Sequence, residues 1–582
     1  RPSHTPEPGV GGGGDLVGWG VDGRVVGPGG AGATTRWSLL ETVRAVAVHE
    51  LAASGEDSGP RYVRWAADTA ARLDTRIDRL PPADFDAVAG DLRHALTQAA
   101  PDGTAYRLAK SLAHLSFARG LVVAAREHYR TAAGLAPGPA TAAEDLGTAA
   151  AVALTISDGE TGFGLLLEAA ARAEAAGDRT AQAVAVASAV VAATRFSMSF
   201  TDPVPRARLV AMLAEATALA DPADERSAAV LAMARAWVSG RTPLDPDLEL
   251  SRAAVAASRR SGDVALVLGA LDALGTALAN AGRLREAHRL SDERLRLATT
   301  ASRYEPAVAA ELVDLFHVAS TSALAAGDLP AAAGIAEQAA RDDSTGTRPA
   351  IIAPRLIRLH GLTGRFDEAL AQAEVLWDGW RHATTADVES ELSSLRGDWP
   401  SSAAAIVALV HGLRGDVPAF EEWRSRARRI AHVDDAAGSL ALAAAAAFTD
   451  ARVAAHTGRY ADAPRLVAAA LTSFPEKWWL AYAHAAGAEL AVVAGLPDAA
   501  ERLVAAEPAE AENDWAAACL ARANARHTGD PRLMTEAVTR WERLGARFER
   551  AVTLLLVPDR AGEGRTELAA LSVTIPGAQW IQ

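Results

Sequence analysis

At 582 residues the chain exceeds the roughly 250–300 residues at which a single core stops growing, so several domains or a repeat array are expected. Half its residues are apolar yet only 5% are aromatic, and alanine abounds, which favours close helix–helix packing and a nearly all-α fold. A net charge of −14 argues against direct nucleic-acid contact, and one cysteine, Cys519, excludes an internal disulfide or a Cys-based zinc cluster. No apolar run approaches the ~18 residues of a membrane span, and the first residues lack the layout of a signal peptide. The expectation is a cytoplasmic protein without membrane contact. A first residue of Arg1 rather than Met suggests an excerpt of a longer protein.

Residues 1–14, with Pro2, Pro6, Pro8 and then Gly11 to Gly14, read as a disordered linker. Over 15–57 a weak alternation through Trp19, Val21 and Val25 breaks at Asp22-Gly23, a hairpin turn signal. A Gly-rich loop and a strand at Thr34–Trp37 follow. Ser38 and Glu41 then have the spacing of a capping box, and Leu40, Val43, Ala47 and Leu51 recur on one helical face. This predicts a short β-wing followed by a capped helix.

Residues 58–137 read as the first helical repeats and 138–551 as a tetratricopeptide-like superhelix, with 552–582 a C-terminal cap or tail. The repeat pattern puts small residues where paired helices cross and recurs about every 34 residues. Leu112, Ala113, Ala125, Tyr129, Ala132 and Pro137 fit it, as do Leu274, Gly275, Gly282, Leu284 and Ala287. Gly327, Gly364, Gly458 and Gly495 each mark an inter-helix turn, followed by a crossing residue at Ala332, Ala369, Ala463 or Ala500. One helical hairpin cannot bury its own apolar face, so such units must stack. Loops are expected at 242–246, 342–349 and 397–400. The predicted fold class is an all-α solenoid with a short N-terminal β-wing.

The run from Thr34 to Gly55, containing Leu39-Leu40-Glu41-Thr42-Val43-Arg44, resembles the junction of STAND-type regulatory ATPases. There a winged-helix piece behind an NB-ARC nucleotide-binding domain joins a tetratricopeptide array, as in LuxR-type and SARP-type transcriptional regulators. Asp91 to Leu96 is similar to a second element of that family, with Asp91 where Asn is usual. Gly529 to Ala551 resembles its last repeat. The resemblance implies a non-catalytic sensor region that binds a protein partner or small-molecule inducer and controls an upstream ATPase domain. ATP would belong to that upstream domain, with no cofactor in this chain. A stand-alone scaffold or small-molecule receptor of a biosynthetic pathway is the alternative.

The residues themselves carry no enzyme signature. Gly27 to Thr34 has the spacing G-x-x-x-x-G-x-T, but Ala33 stands where a P-loop needs its lysine. His49-Glu50 lacks the second histidine of H-E-x-x-H, and Cys519 lies in an apolar helical stripe that makes it an inert buried thiol. Two aromatic groups are the candidate binding residues: Trp377 and Trp380 at i, i+3, and Trp478 with Tyr482 at i, i+4 beside Trp479. They either line a concave face and stack on a ligand or peptide, or fill gaps between irregular repeats. The arginines from Arg424 to Arg429 are read as a solvated helix face, with Glu421 and Glu422 as partners.

Overall fold

The computed structural model describes residues 57–238, 247–341, 349–385 and 397–574, together with Ala53, Ser54 and Leu395. The linker, nearly all of the expected β-wing and helix, and the loop at 242–246 lie outside the described residues, as does most of the loop at 342–349. Every described element is helical. The chain is an all-α solenoid of helical hairpins. It divides into two compact units, up to Val152 and from Ala153 onward.

The first unit contains α1 (Gly59–Asp74), α2 (Pro82–Asp86), α3 (Ala89–Gln98), α4 (Gly103–Ala118) and α5 (Val122–Leu135), and ends within α6 (Pro139–Leu154). Its core gathers Ala66, Ala70, Leu73, Phe85, Leu92 and Leu112. Asp102 starts α4 by accepting the Thr104 and Ala105 amides, which satisfies two otherwise orphaned donors.

The second unit opens with α7 (Gly159–Ala175), α8 (Arg179–Arg195), α9 (Arg206–Leu219), α10 (Glu225–Val238) and α11 (Leu248–Ser261). Then follow α12 (Val264–Asn280) with α13 (Leu284–Ala298), the short α14 (Pro306–Leu312), α15 (Leu315–Ala325) with α16 (Leu329–Arg341), and α17 (Pro349–Thr363) with α18 (Phe366–Thr385). The last hairpins are α19 (Ser401–Leu413) with α20 (Val417–Ile430), α21 (Ala443–Thr457) with α22 (Ala463–Ala470), and α23 (Leu480–Val493) with α24 (Ala499–Glu512). They end with α25 (Asp514–Thr528) and α26 (Pro531–Leu544), then α27 (Arg547–Leu554) and α28 (Ala561–Ala570). Pro306–Ala325 is long and apolar enough to cross a membrane by length and composition, although Glu311 and Asp314 interrupt its apolar run. Just over half of that window, 56%, is buried inside the protein.

The repeat grammar is realised in detail. Ala287, Ala332, Ala369 and Ala463 are all buried at the helix crossings. Ala500 is exposed, and Ala499 takes the crossing position instead, because the Leu496-Pro497-Asp498 turn brings α24 in one residue out of phase. Glycine also serves at crossings: a Cβ on Gly412 would come within 2.6 Å of Val453, and one on Gly487 within 2.6 Å of Ala470.

In a simple solenoid each repeat touches only its neighbours. Here hairpins five places apart also meet. The α15–α16 turn abuts the start of α25: the Leu324, Ala325 and Ala326 carbonyls accept from Tyr482 Oη (2.6 Å), Asn513 Nδ2 (2.7 Å) and the Asp514 amide (2.9 Å). The Ala325 and Ala326 carbonyls, left over at the end of α15, thus meet donors at the start of α25. The α17–α18 turn packs against the start of α27, and the α19–α20 turn meets residues 571–574, where Arg414 donates to the Leu571 carbonyl at 3.2 Å. Arg285, in the first turn of α13, reaches Asp514 at 2.7 Å. One apolar core consequently runs from Phe316 to Val573.

Gly327 and Gly364 show why these turns need glycine twice over. Both have φ above +70°, at 72° and 78°. A Cβ on Gly327 would also lie 2.6 Å from the Asp514 and Trp515 amides, and one on Gly364 2.9 Å from the Phe548 amide. At Gly495 and Gly529 the φ is equally positive but the space is open. Gly327→Ala is therefore expected to cost about 1–3 kcal/mol more in chemical denaturation than Gly495→Ala or Gly529→Ala, the excess being overpacking against backbone. Equal costs at the three sites would show that the five-apart contact is loose.

Candidate functional site

The helices that open successive hairpins meet along the interior of the second unit, and the side chains there decide what that interior can do. Over α21 to α27 it is filled. Phe448, Trp479, Tyr482, Trp515 and Trp541 form a connected aromatic group with ring centroids 5.1–5.8 Å apart. Beside it four successive inner helices each supply one charge: Arg452, Glu489, Arg522 and Glu549. Arg452 donates to Glu489 (2.8 Å) and to both Glu549 oxygens (2.8 Å each); Arg522 donates to both Glu489 oxygens (2.5 and 2.9 Å) and to Glu549 (2.7 Å). Arg522 also donates to Thr553 Oγ1 at 2.9 Å, and its guanidinium lies over the Trp541 ring. All four residues are buried, and the charges sum to zero.

Burial alone would push Glu489 up, but Arg522 and Arg452 outweigh it and hold it below the usual carboxylate range. Cys519, with Sγ 3.4 Å from Glu489, is pushed well up by burial and then by that carboxylate. A protonated, enclosed thiol is a poor nucleophile. This group is closed and satisfied.

A second, partly buried network joins Arg195 of α8, Asp272 of α12, Arg294 of α13, Glu311 of α14 and Asp314. Arg195 reaches Asp272 (3.1 Å), Glu311 (2.7 Å) and Asp314 (3.0 Å); Arg294 reaches Asp272 (3.1 Å) and Asp314 (3.0 Å). Burial raises Asp272 despite its arginines, whereas Asp314, against the same burial, is held at about 2 by Arg195 and Arg294. Two guanidiniums among three carboxylates leave no cation here unpaired.

Further along the interior the balance changes. Arg355 and Arg358 sit one turn apart on α17, both buried, and among the described residues neither forms an ion pair. Arg358 donates Nε to the Pro354 carbonyl (3.0 Å) and Nη1 to Ser402 Oγ (3.3 Å), while its Nη2 and the Nε of Arg355 have no partner. His317 shares this environment. Burial, then Arg355 and Arg358, push it well down, so it is neutral at physiological pH. Its ring packs edge-on to Trp399 at 4.7 Å.

Arg358 lines a narrow recess with Thr321, Trp478, Trp479 and Tyr482, with room for about one water molecule. A second, somewhat larger recess, lined by Gly275, Thr276, Ser291, Ser322 and Ala325, lies on α12, α13 and α15. Trp478, half-buried, borders both.

The five candidate aromatics therefore occupy three environments. Trp377 and Trp380 stack on each other at 5.1 Å and are buried, with Arg426 and Arg429 over Trp377 at 4.8 and 5.1 Å. Arg426 is itself paired with Glu374 and Glu422, and Arg424 with Glu421 and Asp450, so this part of the arginine run is tied up within the chain. Trp479 and Tyr482 belong to the aromatic interior but also face the smaller recess. Of the five, only Trp478 borders both recesses, together with Ala325. Sequence reasoning missed Arg355 and Arg358; their one signal is an Arg-x-x-Arg spacing inside an otherwise apolar helix.

No family model and no curated protein matches the chain. Among solved structures, a chain from "Structure of Naa15/Naa10 bound to HypK-THB" aligns over 91% of this chain and 78% of its own, at 14% identity and a TM-score of 0.18. At that distance it carries no argument about function. Among the described residues no group of three or more His, Cys, Asp or Glu side chains is placed to hold a metal ion.

Two outcomes follow from the buried charges. Arg522→Met leaves Glu489 and Glu549 short of a partner and should cost about 3–5 kcal/mol by urea denaturation; a cost under about 1 kcal/mol would mean that the group is hydrated. His456, buried beside Arg452 and 3.5 Å from Thr574, is lowered to about 4 by burial first and Arg452 second. The folded state therefore holds it neutral. Its contribution is whole above the unfolded value near 6.5 and is lost as pH falls from there toward 4, by up to about 3 kcal/mol. His456→Gln should flatten that part of the stability–pH curve; an unchanged curve would place the proton elsewhere.

Proposed function

We propose that this chain is the sensor and interaction region of a STAND-type transcriptional regulator, restraining an upstream nucleotide-hydrolysing domain until an inducer binds. The observation that carries the reading is the Leu39-Leu40-Glu41-Thr42-Val43-Arg44 junction leading into an array of helical hairpins. Hairpin arrays present large, preorganised surfaces, and an array with long-range contacts can exist in two packings that a ligand biases. The acidic balance of the chain leaves DNA contact to another domain.

The second reading is a receptor or scaffold that works alone, a role that an array of helical hairpins serves equally well. The parent gene decides between the two. A nucleotide-binding domain encoded upstream supports the regulator. In that full-length protein, deletion of residues 58–582 should raise nucleotide hydrolysis by about 5- to 100-fold, the span of ordinary coupling energies. Unchanged turnover, or a parent gene with no such domain, would overturn the regulator in favour of the stand-alone receptor.

A further inference from the structure

Many turns of the second unit close on a glycine with positive φ. The nine residues that join α22 to α23, Leu471 to Trp479, contain no glycine, and three titratable side chains pin their backbone. Glu476 accepts from the Trp478 amide at 2.5 Å, Lys477 donates to the Phe474 carbonyl, and Nε2 of His484, in the first turns of α23, lies 3.2 Å from the Thr472 carbonyl. The connector carries two tryptophans. Trp479 enters the aromatic group, stacked with Phe448. Trp478 packs against two apolar clusters at once: the core from Phe316 to Val573, and a second that includes Met233 of α10, Leu271 and Leu278 of α12 and Leu284 of α13. Whatever holds this connector therefore holds a bridge between two sets of hairpins.

Two of the pins titrate near neutrality, with opposite requirements. Burial raises Glu476 to about 7; the Trp478 amide, Lys477, the Trp479 amide and Arg358 of α17 all pull the other way and do not outweigh it. Burial lowers His484, the Thr472 carbonyl opposes that, and Lys477 adds to it. In an opened, hydrated connector the two groups return toward their ordinary 4.5 and 6.5. The hold that Glu476 gives is accordingly whole below 4.5 and is lost as pH rises from there through about 7. The hold that His484 gives is whole above 6.5 and is lost as pH falls below it, so it damps the response to Glu476.

We propose that the α22–α23 connector is a proton-operated latch: protonated Glu476 keeps it closed, and loss of that proton favours a local opening that withdraws Trp478 from between the two apolar clusters. Opening is confined to the connector, and the helices on either side stay folded. This adds a control by pH to the array, whichever of the two roles above the chain serves.

Hydrogen–deuterium exchange of the segment 471–484 in the whole chain, corrected for the intrinsic pH dependence of amide exchange, reads the opening. From pH 6 to pH 8 the wild-type opening constant should rise by about 2- to 10-fold. His484→Gln removes the damping and should bring the rise to about tenfold. Glu476→Gln keeps an acceptor for the Trp478 amide but cannot ionise, and should abolish or reverse the rise. Trp478→Ala should raise opening by about tenfold or more at both pH values, because packing lost on opening is then already absent. The proposal is overturned if Glu476→Gln keeps the wild-type slope, or if Trp478→Ala leaves opening unchanged, which would mean that the indole stays in place. It is also overturned if the α25 segment 514–528 shows the same rise, because the whole unit would then be opening rather than the connector.

Discussion

Arg452, Glu489, Arg522 and Glu549 hold the C-terminal half of the second unit in one register. Each comes from a different inner helix, and every oxygen and most nitrogens are committed to a partner from another helix. Removing any one member leaves one opposite charge buried and uncompensated, so the four helices must approach together. Burying such a group adds little net stability over a hydrophobic one; what it supplies is a single permitted alignment. The aromatic group from Phe448 to Trp541 packs around that alignment.

The same alignment brings hairpins five places apart into contact. Once the inner helices are drawn in to satisfy four charges, the turns at Gly327, Gly364 and Gly415 meet the segments at Asn513–Trp515, Arg547–Phe548 and Thr574. Carbonyls ending α15 then find the donors that begin α25. Where this closure is complete the interior has no room for a ligand. Where it is incomplete, around Arg355, Arg358 and Trp478, the recesses and the unpaired cations coincide. Tyr482 ties the two regions together, its hydroxyl bonding to the Leu324 carbonyl while its ring packs against Trp515 in the aromatic group.

Much of the fold was legible from local signals. Glycine turns and the alanines five residues beyond them lie within one hairpin, so their spacing survives in the sequence; only the Pro497 turn displaced the register. The contacts between Gly327 and Asn513 or Gly364 and Phe548 join residues with no common period and could not be read that way. The interior charges were hidden for another reason: an arginine in a helix ordinarily faces water. Their signal was a lone charge among small apolar neighbours, as at Ala451-Arg452-Val453 and Ala521-Arg522-Ala523. Of the aromatics, Trp478 and Trp479 precede the start of α23, where helical phase gives no guide to which faces inward.

Native-state hydrogen exchange tests the central claim most directly, namely that long-range contacts bind residues 315–574 into one cooperative unit. The account predicts that core amides of Leu315–Ala325 and of Asp514–Thr528 open together, with one shared free energy equal to that of global unfolding. Amides that instead open in order along the chain, with the hairpins after residue 531 exchanging first and a graded series behind them, would describe an ordinary linear solenoid and contradict it.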